Sequence, residues 1–280
     1  MRQHRFSRLL FGTAGIPISC TGNTIDGITT VRELGLDTME LEFVHSVNIT
    51  KEKAPLVREA ATKNNVLLTC HAPYYINLNS PDEEKRHASM QRILSSARIL
   101  DACGGYSTCF HAGFYQAAEK QAVFERIAAA IHEIVRLLQD ESVNVWVRPE
   151  VSGKPSAFGS LDELIALSSS LEGVLPCIDF AHLHARTNGK NNTKEEFEAV
   201  LNALESGIGK EVLHQMHVHI SGIAYNEKGE RHHLTLGQSD MNYRSLLATL
   251  KGYGVRGVVI CESPNIEQDA LLMQRTHEQA

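Results

Sequence analysis

The sequence lacks any stretch approaching the ~20 consecutive apolar residues of a membrane-crossing helix, so a helical membrane protein is excluded. Its start, Met1-Arg2-Gln3-His4-Arg5-Phe6-Ser7-Arg8, is basic, but the apolar Leu9-Leu10-Phe11 that follows ends at Gly12, too short for a signal peptide. No C-x-x-C pair occurs among Cys20, Cys70, Cys103, Cys109, Cys177 and Cys261, and four of them lie in or directly after apolar runs. Buried, reduced thiols in the cytoplasm are the expectation, and the sequons at Asn48 and Asn192 carry no glycosylation argument. Positive charge is also short: 27 Lys and Arg against 33 Asp and Glu give a net charge of −6. The overall field therefore does not attract nucleic acid or an anionic membrane. Three bound divalent cations would cancel that charge and concentrate positive potential where they sit. Finally, the first strand is not followed by a phosphate-binding glycine fingerprint, because Gly12-Thr13-Ala14-Gly15-Ile16-Pro17 is not G-x-G-x-x-G. That counts against a doubly wound dinucleotide fold.

What is present is alternation. Short β-like runs begin with Leu9–Gly12 and continue with Met39–Phe43, 66–70, 106–110, 144–148, 175–178, 213–220 and 255–261. Helical stretches follow each, among them one from Pro81 to Ala102 with Pro81 in its first turn and Asp82-Glu83-Glu84 complementing its dipole. Strand-helix units of this kind require a parallel sheet with right-handed crossovers. Eight of them close a barrel, and the length suits one (β/α)₈ TIM barrel over residues 1–280, whose site would lie on the loops after the strands.

Those strand ends carry the chemistry. Strand three ends on His71, four on His111, five on Glu150, six on Asp179 with His182 following, and eight on Glu262; strand seven contains His217 and His219. Between the last two strands, Gly229-Glu230-Arg231-His232-His233 follows Asn226-Glu227-Lys228-Gly229, which reads as a hairpin tip. Any one such residue is more often structural than a ligand, and Asp179 alone could simply cap the next helix. Together they would form a ring of polar groups too costly to bury without a cation. Imidazole mixed with carboxylate suits zinc, manganese or iron. His217 against His219, and His232 against His233, stay open at this level. His4, His87, His132 and His277 read as surface residues, His214 as structural, and His45 and His184 as contacts around the ring.

The chain resembles the endonuclease IV family of zinc-dependent apurinic/apyrimidinic endonucleases. The matching stretches are 71–78 (HAPYYINL), 110–113 (FHAG), Pro149-Glu150 with Gly153, 177–182 (CIDFAH), 216–221 (MHVHIS), 231–234 (RHHL) and Cys261-Glu262, in the family's order. The resemblance implies three zinc ions, with manganese or iron an option at one site. His71 and His111 would hold one; Glu150 would bridge to a second, also bound by Asp179, His217 and Glu262; His182, Glu230 and His232 would hold the third. It further implies Glu262 and Glu150 as catalytic groups, with Glu262 orienting or deprotonating the attacking water. Tyr74, Tyr75, Asn77 and Arg231 would contact substrate, the tyrosines entering the duplex at the lesion. The implied partner is double-stranded DNA carrying abasic sites, cut 5′ to the lesion by an intracellular, nucleoid-associated monomer in base excision repair.

Departures from the pattern are Glu230 where the family has Asp, no arginine in the loop His45-Ser46-Val47-Asn48, and an acidic net charge that leaves phosphate contacts to Lys154, Arg186, Lys190 and Arg231. The alternative function on the same barrel is a divalent-metal sugar or sugar-phosphate isomerase or epimerase of the xylose isomerase group, which needs fewer of these ligands.

Overall fold

The computed structural model describes residues 5–280, so His4 lies outside the described residues. Eight parallel strands form the wall: β1 (Leu9–Ala14), β2 (Thr38–Glu42), β3 (Leu67–His71), β4 (Ser107–Phe110), β5 (Trp146–Pro149), β6 (Cys177–Asp179), β7 (Met216–Ile220) and β10 (Gly257–Cys261). They pair in the order β5-β4-β3-β2-β1-β10-β7-β6. Parallel bridges Val147 to Val174 and Glu150 to Cys177 join the two edges, and with them the sheet closes on itself. This is a (β/α)₈ TIM barrel, with no open edge left to aggregate.

The outer helices α1 (Thr24–Glu33), α2 (Ala54–Asn64), α3 (Glu83–Ala102), α4 (Lys120–Asp140), α5 (Leu161–Ser170), α7 (Lys194–Ile208), α8 (Tyr243–Gly252) and α9 (Glu267–Gln279) pack on the strands. Several start where the sequence sets a capping box. Asn23 with Asp26, Ser160 with Glu163, and Thr193 with Glu196 each satisfy backbone donors reciprocally at an N-terminus. Leu, Ile, Val and Phe side chains fill the layer between strands and helices as one continuous core.

The barrel interior is built differently. A small apolar plug of Phe6, Tyr106 and Val258, with Leu10, Leu67 and Trp146 against it, seals the end where the strands begin. The wholly buried Arg148 lies over the Tyr106 and Trp146 rings and donates to the carbonyl of Pro176 and the Tyr106 hydroxyl. Above the plug the inward side chains turn polar, and they stay polar up to the mouth. At Gly12 the wall admits no side chain, since a Cβ there would fall 1.8 Å from the Thr38 carbonyl oxygen.

Two elements interrupt the alternation after the strands. A short helix α6 (Phe180–Arg186), absent from the sequence reading, follows β6 directly with Asp179 as its N-cap. The hairpin read at Asn226–Gly229 forms from β8 (Gly222–Asn226) and β9 (Gly229–Leu234), which pair antiparallel beside the mouth.

Candidate metal centre at the barrel mouth

The strand ends converge on Glu150. Its Oε2 lies 3.0 Å from His71 Nε2 and 3.6 Å from His111 Nε2, and its Oε1 lies 3.2 Å from His182 Nδ1. His71 donates Nδ1–H to the Ala72 carbonyl at 2.7 Å. A carbonyl only accepts, so this bond places the free lone pair of a neutral His71 on Nε2, facing the carboxylate. His71, His111 and Glu150 thus form one group of donors.

A second group consists of Glu150, Asp179, His182 and Glu262. Asp179 performs both of its possible duties: Oδ1 accepts the His182 backbone N–H at 2.7 Å, and Oδ2 is buried without a hydrogen-bond partner.

The third group forms around His182 and the hairpin. His182 donates Nδ1–H to the Val151 carbonyl and His233 donates Nδ1–H to the Glu262 carbonyl, each at 3.1 Å. In their neutral forms both rings therefore turn an unprotonated Nε2 toward each other across 3.4 Å, and Glu230 Oε2 lies 3.5 Å from His182 Nε2. Gly153 makes room for that carboxylate, because a Cβ there would sit 2.1 Å from Glu230 Oε2.

Here the structure differs from the sequence reading. His232 was expected beside Glu230, two residues away on the same face of a strand. The hairpin instead pairs Ala224 with His232 and Tyr225 with Glu230, which leaves Arg231 as an extra residue in β9. This bulge shifts the alternation by one. His233 turns to the centre, while Arg231 and His232 are exposed.

The pair on β7 differs too. His217 and His219 share the inward face, but the mouth is at the C-terminal end, so His219 lies higher. His219 Nδ1 is 3.3 Å from Glu150 Oε1 and 3.3 Å from Glu262 Oε1, whereas His217 is one layer below, bonded to Ser107 at 2.9 Å through Nδ1 and 3.1 Å from Glu40 through Nε2. Two acids that the sequence reading did not single out, Glu40 and Glu42, enter from β2 on that same inward face.

Electrostatics follow from burial and crowding. Burial pushes Glu150 and Glu262 up, but the charges of His111 and His219 outweigh it and hold Glu150 well below the usual carboxylate range; His219 does the same for Glu262. Asp179 is driven well up by burial and by the charges of Glu262 and Glu150. Glu42 is pushed up to about 8 by burial and then by Glu40. Burial lowers His71, yet its bond to Glu150 and the carboxylates around it raise it to about 10. His111 is lowered by burial and by the neighbouring His182 and His71. Asp179 Oδ2, Glu262 Oε2 and His111 Nδ1 are buried polar atoms without a hydrogen-bond partner. Orphaned acceptors beside converging bare imidazole nitrogens fit divalent cations of the zinc, manganese or iron type.

Around this rim, Tyr74 and Tyr75 are 58% and 63% exposed; Tyr74 packs against His71, and Tyr75 stacks on His45 at 6.0 Å. Asn77 faces its own loop, where Oδ1 accepts from the Asn79 backbone at 3.1 Å. Arg186 is committed to the carbonyls of Ser152, Lys154 and Ala157, which removes it from the phosphate contacts expected of it. His184 is buried, between the Lys190 carbonyl and Asp240. His277, expected at the surface, is half-buried with its ring 5.3 Å from that of Phe11.

A closed eight-stranded barrel with polar donors at its mouth defines the class, and residues 28–278 match one family within it: the chain belongs to the xylose isomerase-like TIM barrel family. It is 41% identical over 271 residues to an uncharacterized protein of Methanocaldococcus jannaschii, covering 97% of each chain. It is 33% identical over 187 residues to a probable endonuclease 4 of Heliobacterium modesticaldum, covering 65% of each. Among solved structures, endonuclease IV from Thermus thermophilus superposes with a TM-score of 0.74 at 18% identity, over 96% of this chain and 100% of the other. A D-tagatose 3-epimerase-like protein superposes with the same TM-score and identity, over 97% and 96%. The fold is thus shared with an endonuclease IV and with a D-tagatose 3-epimerase-like protein. Among the described residues no helix is long and apolar enough to cross a membrane.

Proposed function

We propose that the protein is a divalent-metal-dependent endonuclease that hydrolyses the DNA phosphodiester 5′ to an abasic site and leaves a 3′ hydroxyl, in base excision repair. One observation carries this reading: the mouth supplies three donor groups, His71-His111-Glu150, Glu150-Asp179-His182-Glu262 and His182-His233-Glu262, linked through Glu150, His182 and Glu262, with Glu230 Oε2 3.5 Å from His182 Nε2 beside the third. An isomerase that enolises a sugar needs one or two ions and leaves the His182, Glu230 and His233 group without a purpose.

His71, His111 and Glu150 would hold one ion, Glu150, Asp179 and Glu262 a second, and His182, His233 and Glu230 the third, with zinc as the first choice and manganese or iron at one position. Bound there, such ions would lower the pKa of water and offset charge on a phosphodiester and on its leaving oxygen. Glu262 would orient or deprotonate the attacking water through its unpartnered Oε2, and Glu150, shared by the first two donor groups, is held by His71, His111, His182 and His219. His219 Nδ1–H holds both carboxylates from below. Tyr74 and Tyr75 are the groups that enter the duplex where a missing base makes unstacking cheapest. Arg231, Lys154 and Lys190 supply phosphate contacts, and Asn77 braces the tyrosine loop. The enzyme acts in the cytoplasm on nucleoid DNA, as a monomer.

The products test it. A duplex with one abasic site should give a nick whose 3′ end a polymerase extends. Intact DNA together with epimerisation of a ketose would move the assignment to the sugar branch of the family.

A further inference from the structure

Below the mouth lies a second cluster, which the nuclease reading touches only through His219 Nδ1. Cys109 on β4, Cys177 on β6, and His217 and His219 on β7 are wholly buried in the barrel interior, with one donor atom of each within 4.8 Å of the others. In an ordinary barrel this layer is filled by Val, Ile and Leu. We propose that these four side chains hold a metal ion of their own, closed off inside the barrel and distinct from the ions at the mouth.

The hydrogen bonds around the cluster support it. Each ring has its outer nitrogen engaged: His217 Nδ1 with the Ser107 hydroxyl at 2.9 Å and His219 Nδ1 with Glu150 Oε1 at 3.3 Å. His219 Nδ1 also lies 3.3 Å from Glu262 Oε1, so two carboxylates, which only accept, hold the proton of a neutral His219 on Nδ1 and leave its Nε2 as the donor to a cation. The two Nε2 atoms then face each other at 3.2 Å, the arrangement also seen between His182 and His233 at the mouth. Cys109 Sγ completes the approach at 3.8 Å from His219 Nε2. Glu40 Oε1 points to the same place, 2.9 Å from His219 Nε2, yet is buried without a hydrogen-bond partner. Two bare acceptors so close are repulsive unless a proton or a cation lies between them, and the pair of thiols offers thiolates to a cation.

Two sulfurs and two imidazoles give the tetrahedral donor set of a structural zinc site, in which ligands touching at 3.2 to 3.8 Å is ordinary. The outer bonds follow the rule that a metal-bound imidazole donates its other N–H to a fixed acceptor. The ion would tie β4, β6 and β7 together across the interior. It would also lock His219 in the tautomer that holds Glu150 and Glu262, linking an inert inner ion to the reactive mouth.

The mouth contains no sulfur ligand, so sulfur distinguishes the two sites. Full-length protein is stripped of metal, reloaded with cobalt(II), and its near-ultraviolet thiolate-to-cobalt band is recorded; zinc-loaded protein is measured by X-ray absorption. The expected results are a charge-transfer band, a sulfur shell at about 2.3 Å, and loss of about one metal equivalent together with the band in Cys109→Ser and Cys177→Ser. Glu262→Gln keeps the band. Cobalt and zinc bound through nitrogen and oxygen alone in the native sequence would overturn the proposal, even if the cysteine variants do not fold, and would leave the nuclease reading untouched. A sulfur shell in a protein that leaves abasic DNA intact would sink the nuclease reading and keep the inner site.

Discussion

Asp179 caps the helix that carries His182: Asp179 Oδ1 accepts the His182 backbone N–H at 2.7 Å, while Oδ2 stands 3.0 Å from His182 Nδ1 without a hydrogen bond. The carboxylate thereby starts α6 and fixes the imidazole that the helix carries. Asp179→Asn keeps an oxygen for the cap but removes the charge at the mouth. It should fold, and it should bind metal at least about 10-fold more weakly by titration; unchanged affinity would reduce Asp179 to a cap.

In the proposed site the bulge in β9 makes His233, not His232, the hairpin ligand. His233→Ala should lose about one metal equivalent and at least about 100-fold in cleavage rate, while the neighbouring His232→Ala should keep both within about 2-fold. Metal analysis of the two variants side by side decides it. The reverse pattern would return His232 to the site and show that the alternation is not shifted in solution.

Glu262→Gln preserves the shape of the side chain and removes the base. Cleavage should fall by about 10² to 10⁴-fold while the circular dichroism spectrum is unchanged. Undiminished cleavage would take Glu262 out of the mechanism.

Metal binding should release protons. His71 is raised to about 10 by its bond to Glu150, so in the metal-free protein at neutral pH it carries a proton on the nitrogen that faces the site. A cation must displace it, and affinity should therefore climb as pH rises toward 10. Calorimetry in two buffers of different ionisation enthalpy should show release of about one proton or more per chain at pH 7. No release would mean that His71 does not ligate.

Glu42 gives the metal-free fold a pH dependence of the opposite kind to a salt-bridged acid. Its carboxyl titrates near 4.5 in the unfolded chain and at about 8 when folded, so the folded state holds the extra proton between those values. Stability is highest below that window and declines as pH rises through it, by on the order of 5 kcal/mol for this group at most. Urea unfolding of metal-free Glu42→Gln should lack that decline. An identical decline in both proteins would assign it elsewhere.

The barrel and most of its candidate donors were legible because five strands end on, or one residue before, a His, Asp or Glu: His71, His111, Glu150, Asp179 and Glu262 all reach the mouth. His217 and His219 share a face, so alternation could not separate them; depth could have, since the residue nearer the C-terminal end of a barrel strand is the one at the mouth. His233 was not legible, because a one-residue bulge leaves no mark in composition and reverses which neighbour points inward. Glu40 and Glu42 did leave a signal. Two acids alternating within the run Met39-Glu40-Leu41-Glu42-Phe43 mark a strand whose inner face is polar, and such a face inside a barrel calls for partners. The seven residues of α6 read as loop, since so short a helix is set by its cap and its tertiary contacts more than by periodicity.

Binding by the exposed tyrosines is separable from chemistry. Tyr75→Ala should weaken binding to a duplex with an abasic site by about 10-fold, the worth of one stacking contact, with metal content unchanged. Equal affinity in both proteins would leave the Tyr75 stack on His45 as packing alone.

The most direct measurement is cleavage of an end-labelled duplex containing one abasic site, by metal-loaded protein, by the same protein after a chelator, and after zinc is returned. A single nick 5′ to the lesion, lost with the chelator and restored by the metal, is the expected result. A duplex that stays whole under metal-loaded enzyme, or a nick that the chelator does not abolish, would contradict it.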